Sequence, residues 1–262
     1  MKADINGFSM NFEDAGSGPA VVLIHGFPFC NEMWLEQIKF FSEKNYRVIA
    51  PDLPGYGGSE YAPLESMGDF SDDVASLLEY LGVEKAVIGG MSMGGYILLD
   101  FLERHPHRVS GAVFMVTRAG ADNEAGKAKR TELAERTRSG QREAVPDTFG
   151  PILFAPDSYE KRMDMVRRVH EWGVEADPRA VSESLLAMRD RKDYLNELGK
   201  FSFPTLVIGG ALDRTIPPEN SEAIARTLPG AKLEIIPGVG HMANMENPEA
   251  FNEVLLKFLQ GL

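Results

Sequence analysis

Short apolar runs alternate with longer amphipathic stretches along this chain of 262 residues. The runs fall at 20–24, 47–51, 85–89, 109–116, 205–208 and 232–236. Each has strand length, is rich in β-branched residues and sits between Gly, Pro or Asp. A strand that is apolar on both faces is covered on both faces, so the pattern predicts a parallel sheet between helical layers. The helical segments are 33–44 after a candidate N-cap at Asn31, 66–81 before Gly82, 93–104 before Pro106, 218–227 and 248–259. Residues 2–14 read as a hairpin turning through Asn6-Gly7.

Residues 118–200 break this rhythm. They hold no convincing strand, and helical spacing dominates: Val181, Leu185 and Met188, then Met163, Val166 and His170. Pro146, Pro151, Pro156 and Pro178 divide the stretch into about four pieces. Of the 27 basic and 39 acidic residues, 16 of each lie here, so the segment is neutral and the rest carries the net charge of −12. The reading is an α/β core at 1–117 and 201–262 with a helical cap at 118–200.

The acidic balance argues against nucleic acid, which needs clustered Lys and Arg, and against an anionic membrane surface. A single cysteine, Cys30, excludes a disulfide scaffold or a cysteine zinc site within one chain. No apolar run reaches membrane-spanning length, so membrane insertion is not expected. The first five residues lack the apolar stretch of a signal peptide, which makes the cytoplasm the expected compartment. A monomer or homodimer is expected. No H-E-x-x-H, dinucleotide fingerprint or phosphate-cradling loop occurs, so neither a metal nor a cofactor is expected.

The chemistry concentrates after the strands. Gly90-Met91-Ser92-Met93-Gly94 follows an apolar strand and opens an apolar helix, the strand–turn–helix setting of a nucleophilic serine. A serine hydroxyl needs a base, and the base needs an orienting acid. Of five histidines, His241 lies in the loop after the last strand and reaches the carboxyl edge of the sheet. His25 beside Gly26 reads as structural, His105 and His107 as solvated, and His170 as a helix-surface or packing residue. Asp213, in the loop after the run 205–208, is the candidate acid. Its competing roles are to cap its own loop or to pair with Arg214. The oxyanion of an acyl-transfer intermediate needs two N–H donors. Met93, next to the serine, and Phe27, in His25-Gly26-Phe27-Pro28, are the candidates.

Together these residues resemble the α/β-hydrolase superfamily. The matching segments are His25–Pro28, Asp52-Leu53-Pro54-Gly55-Tyr56-Gly57-Gly58-Ser59, Gly90–Gly95, Asp213 and Gly240-His241, spread from about residue 20 to 250 in family order. Within the superfamily, Ser-Met-Gly-Gly and Gly-His-Met-Ala-Asn look most like small carboxylesterases grouped with 3-oxoadipate enol-lactonases and cofactor-free perhydrolases. The resemblance implies a mostly parallel central sheet flanked by helices, a helical cap between two core strands, and the order Ser…Asp…His in the triad. It makes the Asp52–Ser59 turn structural. Ser92 stands where haloalkane dehalogenases and epoxide hydrolases of this fold carry aspartate.

The expected activity is hydrolysis of small-to-medium hydrophobic esters through an acyl-enzyme on Ser92. Enol-lactone hydrolysis, carbon–carbon bond hydrolysis and perhydrolysis use the same triad. A cyanohydrin-type lyase or a weakly catalytic signalling receptor would share the fold. Phe27, Phe149, Leu153, Met163, Val166, Trp172, Leu185, Met188 and Met242 are the candidate pocket, although many cap residues would simply pack onto the core. Arg118, at the end of the last strand before the cap, is the candidate partner for a substrate carboxylate, with a solvated position as the competing reading.

Overall fold

The computed structural model describes all residues, Met1–Leu262. Asn6 and Gly7, at φ 50° and 86°, turn strand β1 (Lys2–Ile5) back onto β2 (Phe8–Ala15). Positive φ at both turn positions matches the twist of the paired strands, which is why Asn-Gly suits this hairpin. The remaining strands are β3 (Ala20–Ile24), β4 (Arg47–Pro51), β5 (Ala86–Met91), β6 (Val109–Met115), β7 (Thr205–Gly210) and β8 (Lys232–Ile236). They form one eight-stranded sheet in the order β1-β2-β4-β3-β5-β6-β7-β8. β2 is antiparallel to β4; every later pairing is parallel.

Both faces of the central strands are buried, and the period of two divides them cleanly. Val22 and Ile24 of β3, with Ala112 and Phe114 of β6, enter one apolar cluster. Val21 and Leu23, with Val113 and Met115, enter the other. Helices α1 (Leu35–Ser42), α2 (Met67–Tyr80) and α3 (Met93–Arg104) precede β6. Helix α2 starts at a capping box, with Ser66 and Asp69 satisfying each other's amides, worth about 1 kcal/mol. Asn31 does not cap a helix as its position suggests. Its amide donates to Asp52 Oδ1 (2.6 Å) and its side chain to Ala50 O (3.3 Å), and residues Asn31–Trp34 form a 3-10 turn ahead of α1.

Five helices lie between β6 and β7: α4 (Glu124–Arg138), α5 (Ala144–Leu153), α6 (Pro156–Lys161), α7 (Met163–Glu175) and α8 (Pro178–Asp190). The prolines do not divide the segment as the sequence suggests. Pro156 and Pro178 open helices, where a missing N–H costs nothing. Pro146 lies in the first turn of α5 and Pro151 near its end, and Arg162 separates α6 from α7. The phase of α7 also differs. Val169, Trp172 and Gly173 face inward, while Met163 is 47% exposed.

These helices are tied to the core at several points. Tyr56 Oη donates to Ser184 Oγ (2.8 Å), Tyr61 Oη to Glu183 (2.8 Å), and the Asp177 amide to Gly55 O (2.9 Å). A Cβ on Gly55 would stand 2.3 Å from that of Ala180. After β7 come α9 (Glu219–Thr227), then α10 (Ala243–Glu246) and α11 (Pro248–Leu259) behind β8. No helix is long and apolar enough to cross a membrane.

Candidate active site

Ser92 sits between β5 and α3 with φ 52° and ψ −112°. A non-glycine residue in this region costs roughly 1–3 kcal/mol and persists only when its surroundings over-determine it. They do. The Ser92 amide donates to Met115 O (2.9 Å), while its carbonyl accepts from Thr117 Oγ1 (2.7 Å) and the Gly95 amide (2.9 Å). The glycines make room for this turn. A Cβ on Gly90 would lie 2.1 Å from Gly94 O, on Gly94 2.5 Å from Ile24 O, and on Gly95 2.4 Å from Thr117 Oγ1. The side chain of Ser92 is half-buried and lines a cavity of about 290 Å³.

His241 lines the same cavity. Its Nδ1 lies 2.7 Å from Asp213 Oδ2, and both side chains are almost fully buried. The other Asp213 oxygen accepts the amides of Thr215 (2.8 Å) and Ile216 (2.9 Å). Asp213 thus caps its own loop and holds the imidazole at once. Arg214 turns away to Pro151 O (2.6 Å). The carboxylate accepts, so the proton belongs on Nδ1 and Nε2 keeps its lone pair. The His241 amide donates to Leu153 O (2.7 Å), which fixes the loop from the helical side. Gly210 permits the loops to meet, since a Cβ there would stand 2.2 Å from Gly240 O. No hydrogen bond joins the Ser92 hydroxyl to His241; the two groups share the cavity wall.

Phe27 lines the cavity, and its amide has no hydrogen-bond partner within the protein. Met93 opens α3, where amides lack intrahelical acceptors. His25 is fully buried, with Nδ1 2.8 Å from Gly26 O and Nε2 accepting the Leu53 amide at 3.0 Å. Burial pushes its pKa down, and it braces two loops as a neutral ring. Asp52 accepts from the Asn31 and Gly58 amides and from Asn11, so its turn is held from within. His105 bonds Asp72 at 2.7 Å instead of standing free in solvent; His107 is exposed, and half-buried His170 contacts Asp147. Burial pushes the Cys30 thiol up to about 12.

Of the candidate pocket residues, Phe27, Phe149, Leu153 and Met188 line the Ser92 cavity. Val166 lines a neighbouring apolar cavity of about 360 Å³, from which Phe149 and Leu153 separate the first. The other four lie elsewhere. Met163 faces solvent, Leu185 and Met242 pack in the core, and Trp172 turns its Nε1 to Glu32 (3.3 Å). For Met163 and Leu185, helical spacing gave the period but not the neighbour each face meets.

The remaining wall was not anticipated. Tyr96, Asp122, Lys129, Arg130, Leu133, Thr215 and Ile216 join Arg118 there. Asp122 is buried and in contact with Arg118, Arg130 and Arg191 at once. Arg118 and Asp122 are four residues apart, but nothing in the sequence distinguishes them from a solvated pair.

The comparisons agree with this fold. The α/β hydrolase fold family model matches residues 19–248. The chain belongs to that family. A thermophilic esterase from Thermogutta terrifontis, solved with malate bound, is 34% identical, covers 100% of this chain and 98% of its own, and superposes with a TM-score of 0.95. The enol-lactonase from Burkholderia xenovorans LB400 is 25% identical over 99% of this chain and 100% of its own, with a TM-score of 0.91. A non-heme haloperoxidase from Rhodococcus erythropolis is 27% identical, covering 98% of this chain and 97% of its own length. This α/β-hydrolase therefore shares its fold and most of its length with enzymes of several named reactions.

Proposed function

We propose that this α/β-hydrolase is a serine carboxylesterase, with Ser92, His241 and Asp213 as its triad and the helices of 118–200 as its cap. One observation carries the reading: a strained serine and an imidazole oriented by a buried carboxylate face one cavity. His241 Nε2 takes the serine proton as Oγ attacks the ester carbonyl. The amides of Phe27 and Met93 receive the negative charge that develops on the carbonyl oxygen. Protonated His241 then gives its proton to the leaving alcohol, while Asp213 stabilises the imidazolium. Water, deprotonated by the same imidazole, releases the acid. Hydrogen bonds of this kind tighten in the complex with substrate, which accommodates the open Ser92–His241 contact.

The test is hydrolysis of p-nitrophenyl acetate, butyrate and octanoate by the wild type and Ser92→Ala. Serine-dependent turnover is expected, strongest for the shorter esters given a cavity of about 290 Å³. Equal rates from the two proteins would remove Ser92 as the nucleophile.

A further inference from the structure

The cavity has two unlike ends. Around His241 the wall is Leu153, Thr215, Ile216 and Phe149. On the wall built by the segment from β6 into α4 and the end of α8, three guanidinium groups share a single carboxylate. Arg118 and Arg130 contact Asp122, and Arg191 donates to both its oxygens, at 2.8 and 3.2 Å. Among the groups in direct contact, positive charges exceed negative ones by two, with Asp193 acting on Arg191 from further off, inside a chain whose net charge is −12. Lys129 adds an ammonium group to the same wall.

An ion network that only tied helices together would gain by being neutral, because each unmatched charge taken from water is a cost with no offset. The protein's own acceptors do not make up the difference. Arg191 also reaches Met188 O (2.6 Å) and Gly120 O (2.8 Å), yet the Nε atoms of Arg118 and Arg191 are buried with no partner at all. Tyr96 lies one helical turn beyond Ser92 and lines the cavity; burial works to raise its pKa, but the charges of Arg191, Arg118 and Arg130 beside it push it down. The Arg191 guanidinium stacks 4.3 Å from its ring centroid and fixes it in place.

We propose that this end of the cavity is a carboxylate subsite, and that the preferred substrates are esters or lactones whose acyl part carries a second, free carboxylate. Arg118 and Arg130 bind that carboxylate, with the Tyr96 hydroxyl beside them; Arg191 and Asp122 position them. The acyl side follows from the proton path. The alcohol leaves toward His241, which protonates it, so the acyl chain extends toward the opposite wall. This assignment rests on the esterase reading above.

The measurement is kcat/KM for monomethyl succinate, glutarate and adipate against methyl hexanoate, followed by pH-stat titration. At least one monoester is expected to exceed the neutral ester by about 30-fold, the lower range for matching a buried charge. In Arg118→Gln that ratio should fall towards one. Glutarate should also inhibit p-nitrophenyl acetate hydrolysis competitively, where sodium chloride of equal ionic strength does not. Ester hydrolysis with no preference for the acidic substrates and no inhibition by glutarate would overturn the subsite and leave the esterase standing. Calorimetry of glutarate on Ser92→Ala separates the two ideas. Binding there, in a protein whose wild type cleaves no ester, would keep the subsite and remove the esterase. If Arg118→Gln fails to fold, the wild-type ratio and the calorimetry decide.

Discussion

Two buried carboxylates serve one cavity, Asp122 in its wall and Asp213 behind His241, and they are held in opposite ways. Asp213 is fastened by the core: two main-chain amides take one oxygen and the imidazole takes the other. Asp122 is fastened by side chains, from Arg118 after β6, Arg130 on α4 and Arg191 after α8. At the first, donors and acceptors balance and the geometry is set by backbone. At the second, donors outnumber acceptors and three long side chains must be ordered together. Main-chain amides suit a group that must hold one angle. A cluster of guanidinium groups suits a group that must attract charge.

Substitutions can break this contrast. Ser92→Ala should cost the most, about 10⁶-fold in kcat on an activated ester. Asp213→Asn removes charge from the balanced end while keeping its amide contacts, so the fold should survive. Turnover should fall about 10⁴-fold as the imidazole loses its favoured tautomer, as measured by kcat beside an unchanged melting curve. Asp122→Asn should behave in the reverse manner. It leaves three arginines without their shared counter-charge, and losing one member of a buried pair costs about 3–5 kcal/mol. Calorimetric melting should show the loss as a fall in Tm of roughly 6–20 °C. A variant that melts like the wild type would mean that Asp122 is not the keystone of the cluster.

A third carboxylate sharpens the point with a smaller effect. Glu103 of α3 accepts from Lys200, Tyr194 and Lys192, which hold its pKa down to about 2. Because the folded value lies below the unfolded one, its contribution is present above about pH 4.5 and fades as the pH falls towards 2. The Tm gap between wild type and Glu103→Gln should therefore narrow over that range, and raised salt should narrow it at neutral pH because the group is partly exposed. A gap that stays constant with pH would mean the effect is one of packing.

The same division explains what could be read from the residues alone. Each core strand is a run of apolar residues between turn residues, and parallel topology leaves its loops at one edge. Ser92, Asp213 and His241 could be placed there because each follows a strand, and Gly90 and Gly94 mark where backbones must pass closely. The helical wall offered no such punctuation. Leu185 and Met163 both sit at helical spacing, yet one is fully buried and the other faces solvent, because the period of a helix does not reveal what lies opposite. Arg130 stayed hidden for a related reason. Arginine is common on surfaces, and only the folded arrangement shows several of them turned inward onto one aspartate.

Leu153 belongs to both halves of this comparison. Its carbonyl oxygen holds the His241 amide, and its side chain helps divide the two cavities. The first task needs only a main-chain carbonyl, which every residue supplies. The second depends wholly on which side chain is present. A lineage can therefore rewrite this codon, lengthening or shortening the accessible chamber, without disturbing the loop that carries the histidine. New cavity shapes would be reached through drift at the wall while the main-chain contact that holds the His241 loop is kept.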